Sequence, residues 1–271
     1  MSWIYDAMLY SYTLSLLFIF AEIFGHNHRR QMGTGLLTVV WVLQTLFFFM
    51  RMKQVGYFPI YTLFETFFFF SWGVVSFALV TRIFFRLEFF LFFVNLLGFS
   101  MVVFNRFANH APRTGSEVHA LANNLLIIHI TFSVIGFVAF TVSAVFAGMY
   151  VFLYRKLKGK QWSRALRQIP ALEKMGRYMY ASSVWGIIFY FLGLAIGTIE
   201  LDHLLQFLLD PKMLLSFAIL FMYLLYVWQK LVFKKPGHEL AWYNLAAFIV
   251  VIINGVISNL FLGFHWWGWP F

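Results

Sequence analysis

The chain has 271 residues, of which 62% are hydrophobic and only 11% charged. A composition this apolar lies outside the range of water-soluble globular domains and marks an integral membrane protein. The formal net charge is +10 and there is no cysteine, which excludes disulfides, thioether-linked haem, Cys-x-x-Cys redox pairs and thiolate metal sites, leaving site chemistry to His, Met, carboxylates and aromatic side chains.

A bilayer core of ~30 Å needs ~20 mostly apolar helical residues. Eight windows meet this: 4–24, 33–50, 60–81, 87–104, 121–154, 180–199, 212–233 and 239–264. With no repeat and no Gly/Ser-rich or Pro-rich linker, the expectation is an all-α bundle of eight transmembrane helices forming a single domain over residues 1–271. The first window is too long for the apolar part of a signal peptide, and it lacks a basic start and a small-residue cleavage site. It is therefore expected to stay in the mature chain.

Fifteen of the twenty basic residues fall in 25–32, 82–86, 155–177 and 230–238, whereas the alternate loops hold only Arg51, Lys53, Arg106, Arg113 and Lys212. The positive-inside rule places the first set in the cytoplasm and both termini outside, as a multi-pass protein of the cell membrane. Basic residues so placed suit anionic membrane lipid, not nucleic acid.

Along the first four helices the Phe-rich faces read as lipid-facing. Glu65, near the outer end of helix three, is the exception: an acid there is expected to be functional, as support for a cofactor site at the outer face, or inward-paired, with Arg51, Lys53, an outer histidine or a Tyr hydroxyl as partner. The following outer loop, 105–124, holds Arg106, His110, Arg113 and His119. Helix five is unusually long and puts His129 a turn or two beyond the hydrocarbon; His129, Ser133, Gly136, Phe140 and Ser143 share one face, whose small and hydroxyl residues favour close helix packing. The inner loop 155–178 carries Trp162, Leu166 and Ile169 on one side of a short basic segment, which reads as a helix lying on the membrane surface. The outer loop 197–212 has Glu200, Asp202, His203 and Asp210. In helix eight, Asn254, Ser258, Phe261 and His265 form an inward stripe. His26, His28 and His238 lie with inner basic residues and read as solvated.

Either His129 or His265 alone would read as an interfacial, hydrogen-bonded histidine. Two inward-facing imidazoles at one level suggest a metal between them. Zinc would want four ligands, recruiting His110, His119 or His203. Haem needs two axial ligands and an aromatic slot, which Phe264, Trp266, Trp267 and Trp269 could line, with Arg106 and Arg113 the nearest cations for its propionates. The same tryptophans alone would read as an interfacial aromatic belt. No Gly-x-Ser-x-Gly, phosphate loop or His-Glu-x-x-His is present, so no enzymatic activity is expected; a secondary transporter of unrelated substrate stays open.

Several segments, in order along nearly the whole chain, resemble the cytochrome c assembly family of membrane haem-handling proteins (CcsA/ResC-like), and most closely its HemX-like branch of Gram-positive bacteria. They are Trp41-Val42-Leu43-Gln44-Thr45, Phe58-Pro59-Ile60-Tyr61-Thr62-Leu63-Phe64-Glu65, Phe69-Phe70-Ser71-Trp72, Ile128-His129-Ile130, Asp210-Pro211-Lys212 and Phe264-His265. The resemblance implies that His129 and His265 are the iron ligands of a non-covalently bound b-type haem. The cytochrome-assembling members also carry a Trp-rich outer loop that presents haem and histidines within the membrane. Here the loop 197–212 has no Trp, and helices one to four and seven have no membrane histidine. These departures fit the HemX-like branch, whose likeness implies an influence on haem biosynthesis by lowering glutamyl-tRNA reductase, directly or indirectly. A cytochrome c assembly component that transports or presents haem is the alternative.

Overall fold

The computed structural model describes residues 2–24, 32–85, 87–106, 124–161, 166, 169–199 and 211–256. Among the described residues all regular structure of any length is helical: α1 (Ser2–Phe24), α2 (Met32–Val55), α3 (Leu63–Phe84), α4 (Glu88–Arg106), α5 (Asn124–Lys158), α6 (Leu172–Ile199), α7 (Pro211–Leu231) and α8 (Gly237–Val256). Helices α1 to α7 are long and apolar enough to cross a membrane. Helix α8 is apolar along most of its described length and carries His238 and Glu239 in its first turn and Asn244 and Asn254 further along. The chain is thus a multi-helix membrane protein with seven candidate spans and an eighth helix at the end of the described chain.

Where helices begin and end departs from the hydropathy windows for physical reasons. Helix α6 starts at Leu172, two turns before the expected 180. Its first turns are amphipathic, with Met175 and Met179 buried and an exposed Glu173–Arg177 pair at i,i+4, so an apolar window passes over them. Helix α3 starts at Leu63 behind a capping box: the Thr62 side chain accepts from the Glu65 backbone N–H, and the Glu65 carboxylate accepts from the Thr62 N–H. Helix α7 opens on Pro211, a residue suited to a first helical position because it lacks an N–H that would find no partner there.

The helices group into two compact units. In unit 1, α1 packs on α2 and α4, and α3 packs on α2 and α4, closing a four-helix ring. In unit 2, α5 and α6 form the most extensive pair, and α8 packs on α5, α6 and α7. Unit 1 is tied by side-chain hydrogen bonds between helices. Gln44 donates to Ser71 Oγ at 3.1 Å, Trp41 Nε1 to Ser76 Oγ at 2.8 Å and Trp72 Nε1 to Thr45 Oγ1 at 3.0 Å, all joining α2 to α3. Tyr12 of α1 donates to Asn95 of α4 at 3.1 Å. In an apolar solvent such ties supply directionality that dispersion alone lacks.

Candidate functional site

His129 is the sixth residue of α5 and faces α6. Its Nδ1 lies 2.6 Å from the Gly193 carbonyl oxygen. A carbonyl only accepts, so Nδ1 is the protonated nitrogen and Nε2 is the basic nitrogen of the neutral ring. That is the arrangement in which a second-sphere hydrogen bond fixes a metal-ligating imidazole.

The ring can lie there because α6 presents glycine to it. A Cβ on Gly197 would sit 2.5 Å from His129 Nδ1 and 2.7 Å from Cε1, and a Cβ on Gly193 would sit 2.6 Å from Ser133 Oγ. Ser133 itself donates to the His129 carbonyl at 2.8 Å. Further along the same contact, Gly136 lies against the Tyr190 backbone and Gly186 against the Phe140 ring. The α5 face expected from sequence is therefore the face buried on α6, and the small residues on both helices are what bring the backbones together.

Continuing along that face, the Ser143 hydroxyl donates to the Met179 carbonyl at 2.8 Å and lies 2.8 Å from Ser183 Oγ. Asn244 Nδ2 donates to both hydroxyls, at 2.9 and 3.1 Å. Asn254 is buried as expected, and its Nδ2 donates to Tyr190 OH at 3.3 Å and Ser216 Oγ at 3.2 Å.

Glu65 belongs to unit 1, and its carboxylate is engaged within that unit. Oε1 takes Arg51 Nε at 3.2 Å, and Oε2 takes the Tyr61 and Thr62 backbone N–H groups, each at 3.2 Å. Both side chains of the ion pair are nearly excluded from solvent, at 9% and 1% exposure. Burial pushes the Tyr61 phenol above its ordinary value, and Tyr57 adds to this, so Tyr61 stays a neutral neighbour of the pair. Of the partners anticipated for Glu65, Arg51 is the one found. The Thr62-x-x-Glu65 spacing is itself the sequence signature of this capping box. Arg106, also in unit 1, makes an exposed 3.8 Å contact with Asp6, an arrangement that contributes little.

His265, Trp266, Trp267, Trp269, Phe264, Phe261, Ser258, Arg113, His110, His119 and His203 lie outside the described residues, as do His26, His28, Trp162 and residues 200–210. Of the surface segment, Leu166 and Ile169 are described and buried. Among the described residues no three His, Asp or Glu side chains gather into a metal-binding group.

The architecture defines a helical membrane protein, and residues 60–265 match the Cytochrome C assembly protein family. The chain belongs to that family. It is 35% identical to Protein HemX of Brevibacillus brevis over 98% of both chains, and 34% identical to Protein HemX of Bacillus subtilis (strain 168) over 94% of both chains.

Proposed function

We propose that this chain is a non-enzymatic, haem-binding membrane protein of the HemX type, which binds b-type haem non-covalently at its outer face between His129 and His265 and lowers the level of glutamyl-tRNA reductase. The observation that carries the haem reading is the His129 tautomer: Nδ1–H is committed to Gly193, so Nε2 is the nitrogen with a lone pair, and α6 holds the ring in a glycine-lined slot. Bound there, haem would supply an iron centre suited to ligand sensing or electron exchange. The chain's part is to orient Nε2 and to keep it unprotonated. Trp266 and Trp267 join this reading as the aromatic surroundings. Glu65 enters it as the residue that fixes the α2–α3 turn of unit 1.

Ten residues lie between Asn254 and His265. Asn254 bonds to Tyr190, one helical turn from Gly193 on α6, so the segment is long enough to reach the level of His129.

The absorption spectrum of purified protein tests the site. Two imidazoles favour low-spin iron, with a sharp reduced spectrum that His129→Ala or His265→Ala should weaken or convert to high spin. Unchanged spectra in both variants would overturn the assignment, and dependence on His110, His119 or His203 instead would move the ligands to the loops. The regulatory half of the proposal rests on the inner segment 155–178, which holds eight of the chain's twenty basic residues. Deleting the gene should raise glutamyl-tRNA reductase while c-type cytochromes mature normally, and Arg164→Ala with Arg167→Ala should reproduce part of the rise with haem binding intact. Loss of cytochrome c maturation at unchanged reductase level would point to haem presentation as the function.

A further inference from the structure

Among the described residues of unit 2, the buried Asn244 Oδ1, Tyr223 OH and Tyr226 OH have no hydrogen-bond partner. All three residues are 0% exposed. Buried polar atoms are almost always satisfied, and the pressure is greatest in a membrane interior, where lipid offers neither donor nor acceptor. The three atoms belong to one neighbourhood. Asn244 joins Ser143 and Ser183. One turn along α5 from Ser143, the Phe140 ring stacks on Tyr223 at 3.9 Å. Tyr226 lies one turn beyond Tyr223 on the same face of α7. The Lys230 ammonium sits 3.9 Å over the Tyr180 ring and donates to the Gly176 carbonyl at 3.4 Å.

On α7 the residues Ser216, Tyr223, Tyr226 and Lys230 fall at spacings that keep them on one face. From Ser216 to Lys230 that face covers ~21 Å of helix, about two-thirds of a bilayer core. Ser216 already bonds to Asn254 at one end, and Lys230 supplies a cation at the other. The orphaned atoms lie between these ends. They offer two hydroxyl donors and one amide acceptor, with no charge among them, in a place closed to lipid.

We propose that unit 2 holds bound water along this face of α7, with water accepting from the Tyr223 and Tyr226 hydroxyls and donating to Asn244 Oδ1. A small neutral molecule that both donates and accepts is the ligand these groups specify. The water links the Ser143–Ser183–Asn244 ties to the Lys230 end and makes a polar seam through the interior of the unit.

X-ray radiolytic footprinting tests this directly, because hydroxyl radicals made from bound water oxidise the side chains that water touches. The full-length protein would be irradiated in nanodiscs of phosphatidylcholine and phosphatidylglycerol and read by mass spectrometry. The internal reference is Tyr12, equally buried but with its hydroxyl bonded to Asn95. Tyr223 and Tyr226 should be modified several-fold faster than Tyr12. Modification of both tyrosines as slow as that of Tyr12 overturns the proposal, and this comparison needs no variant. In Asn244→Leu, or in Tyr226→Phe should the first variant fold poorly, modification of Tyr223 should fall towards the Tyr12 rate. An unchanged rate in a folded variant would remove these groups from the water's ligands and overturn the seam as drawn.

Discussion

Replacing Gly197 with Ala isolates the orientation of His129 from the stability of the helix pair. The new Cβ would lie 2.5 Å from His129 Nδ1 and 2.7 Å from Cε1, well inside the ~3.5–4 Å at which carbon contacts become favourable. The obstructing atoms belong to a side chain, so the ring swings away and α6 need not move. In doing so it loses the 2.6 Å bond to Gly193. Interhelical hydrogen bonds in membranes average ~0.6 kcal/mol, with a maximum near ~1.7. Ala gains about 0.8–1 kcal/mol over Gly in a helix interior, so folding should be nearly neutral. Ligand affinity should not be: loss of a ligand's outer-sphere partner weakens metal binding by about 10–100-fold, or ~1.4–2.7 kcal/mol. The assay is a spectroscopic haem titration of wild type, Gly197→Ala, His129→Ala and the double variant, with thermal unfolding measured alongside. Gly197→Ala should cost affinity in the wild-type background and nothing further once His129 is Ala. Wild-type affinity and spectrum in Gly197→Ala would refute the idea that this glycine positions the ligand.

Two further outcomes are expected. Glu65→Gln should lower the thermal stability of the protein, since it leaves Arg51 buried without its counter-charge, a defect of about 3–5 kcal/mol in comparable pairs; Arg51→Met added to it should recover a large part, and equal melting temperatures for wild type and Glu65→Gln would contradict the buried-pair reading. Single cysteines at Ser116 and Ser163 should react with an impermeant thiol reagent from opposite sides of intact cells, Ser116 from outside, and labelling of both from one side would reject the eight-span arrangement.

Hydropathy and charge placement made the helices legible, because a ~20-residue apolar run has few other uses. What they missed was amphipathic: the first two turns of α6 carry Glu173 and Arg177 on their exposed side, and only the helical spacing of Met175 and Met179 betrays them. The α5 face was readable because small and hydroxyl residues recur at helical spacing from His129 to Ser143, yet the partner surface was not. Gly193 and Gly197 are unremarkable in sequence and acquire meaning only when they meet His129 across the interface. The segments that carry the family resemblance in unit 1 turn out to meet one another: Trp41, Gln44 and Thr45 on α2 bond to Ser71, Trp72 and Ser76 on α3. Local spacing reveals which residues share a helix face, whereas the pairing of two faces is a tertiary fact.

The length of α5 explains why one helix can carry both an interfacial histidine and a polar core. From Arg155, at its basic end, to His129 is 26 residues, or ~39 Å of helix and ~37 Å at a tilt of ~20°. That exceeds the ~30 Å hydrocarbon thickness, so with Arg155 at one interface His129 stands in the opposite headgroup region. There a neutral imidazole is inexpensive, and in the proposed site the acidic groups of a haem would reach water. Ser143, 12 residues from Arg155 and therefore ~18 Å along the axis, lies near the middle of the bilayer. Its depth accounts for the dense bonding with Ser183, Asn244 and the Met179 carbonyl: at the membrane centre each hydroxyl must find its partner inside the protein. The same helix face thus turns from holding His129 at the interface to internal hydrogen bonding at mid-membrane, and the glycine-lined approach of α6 serves both.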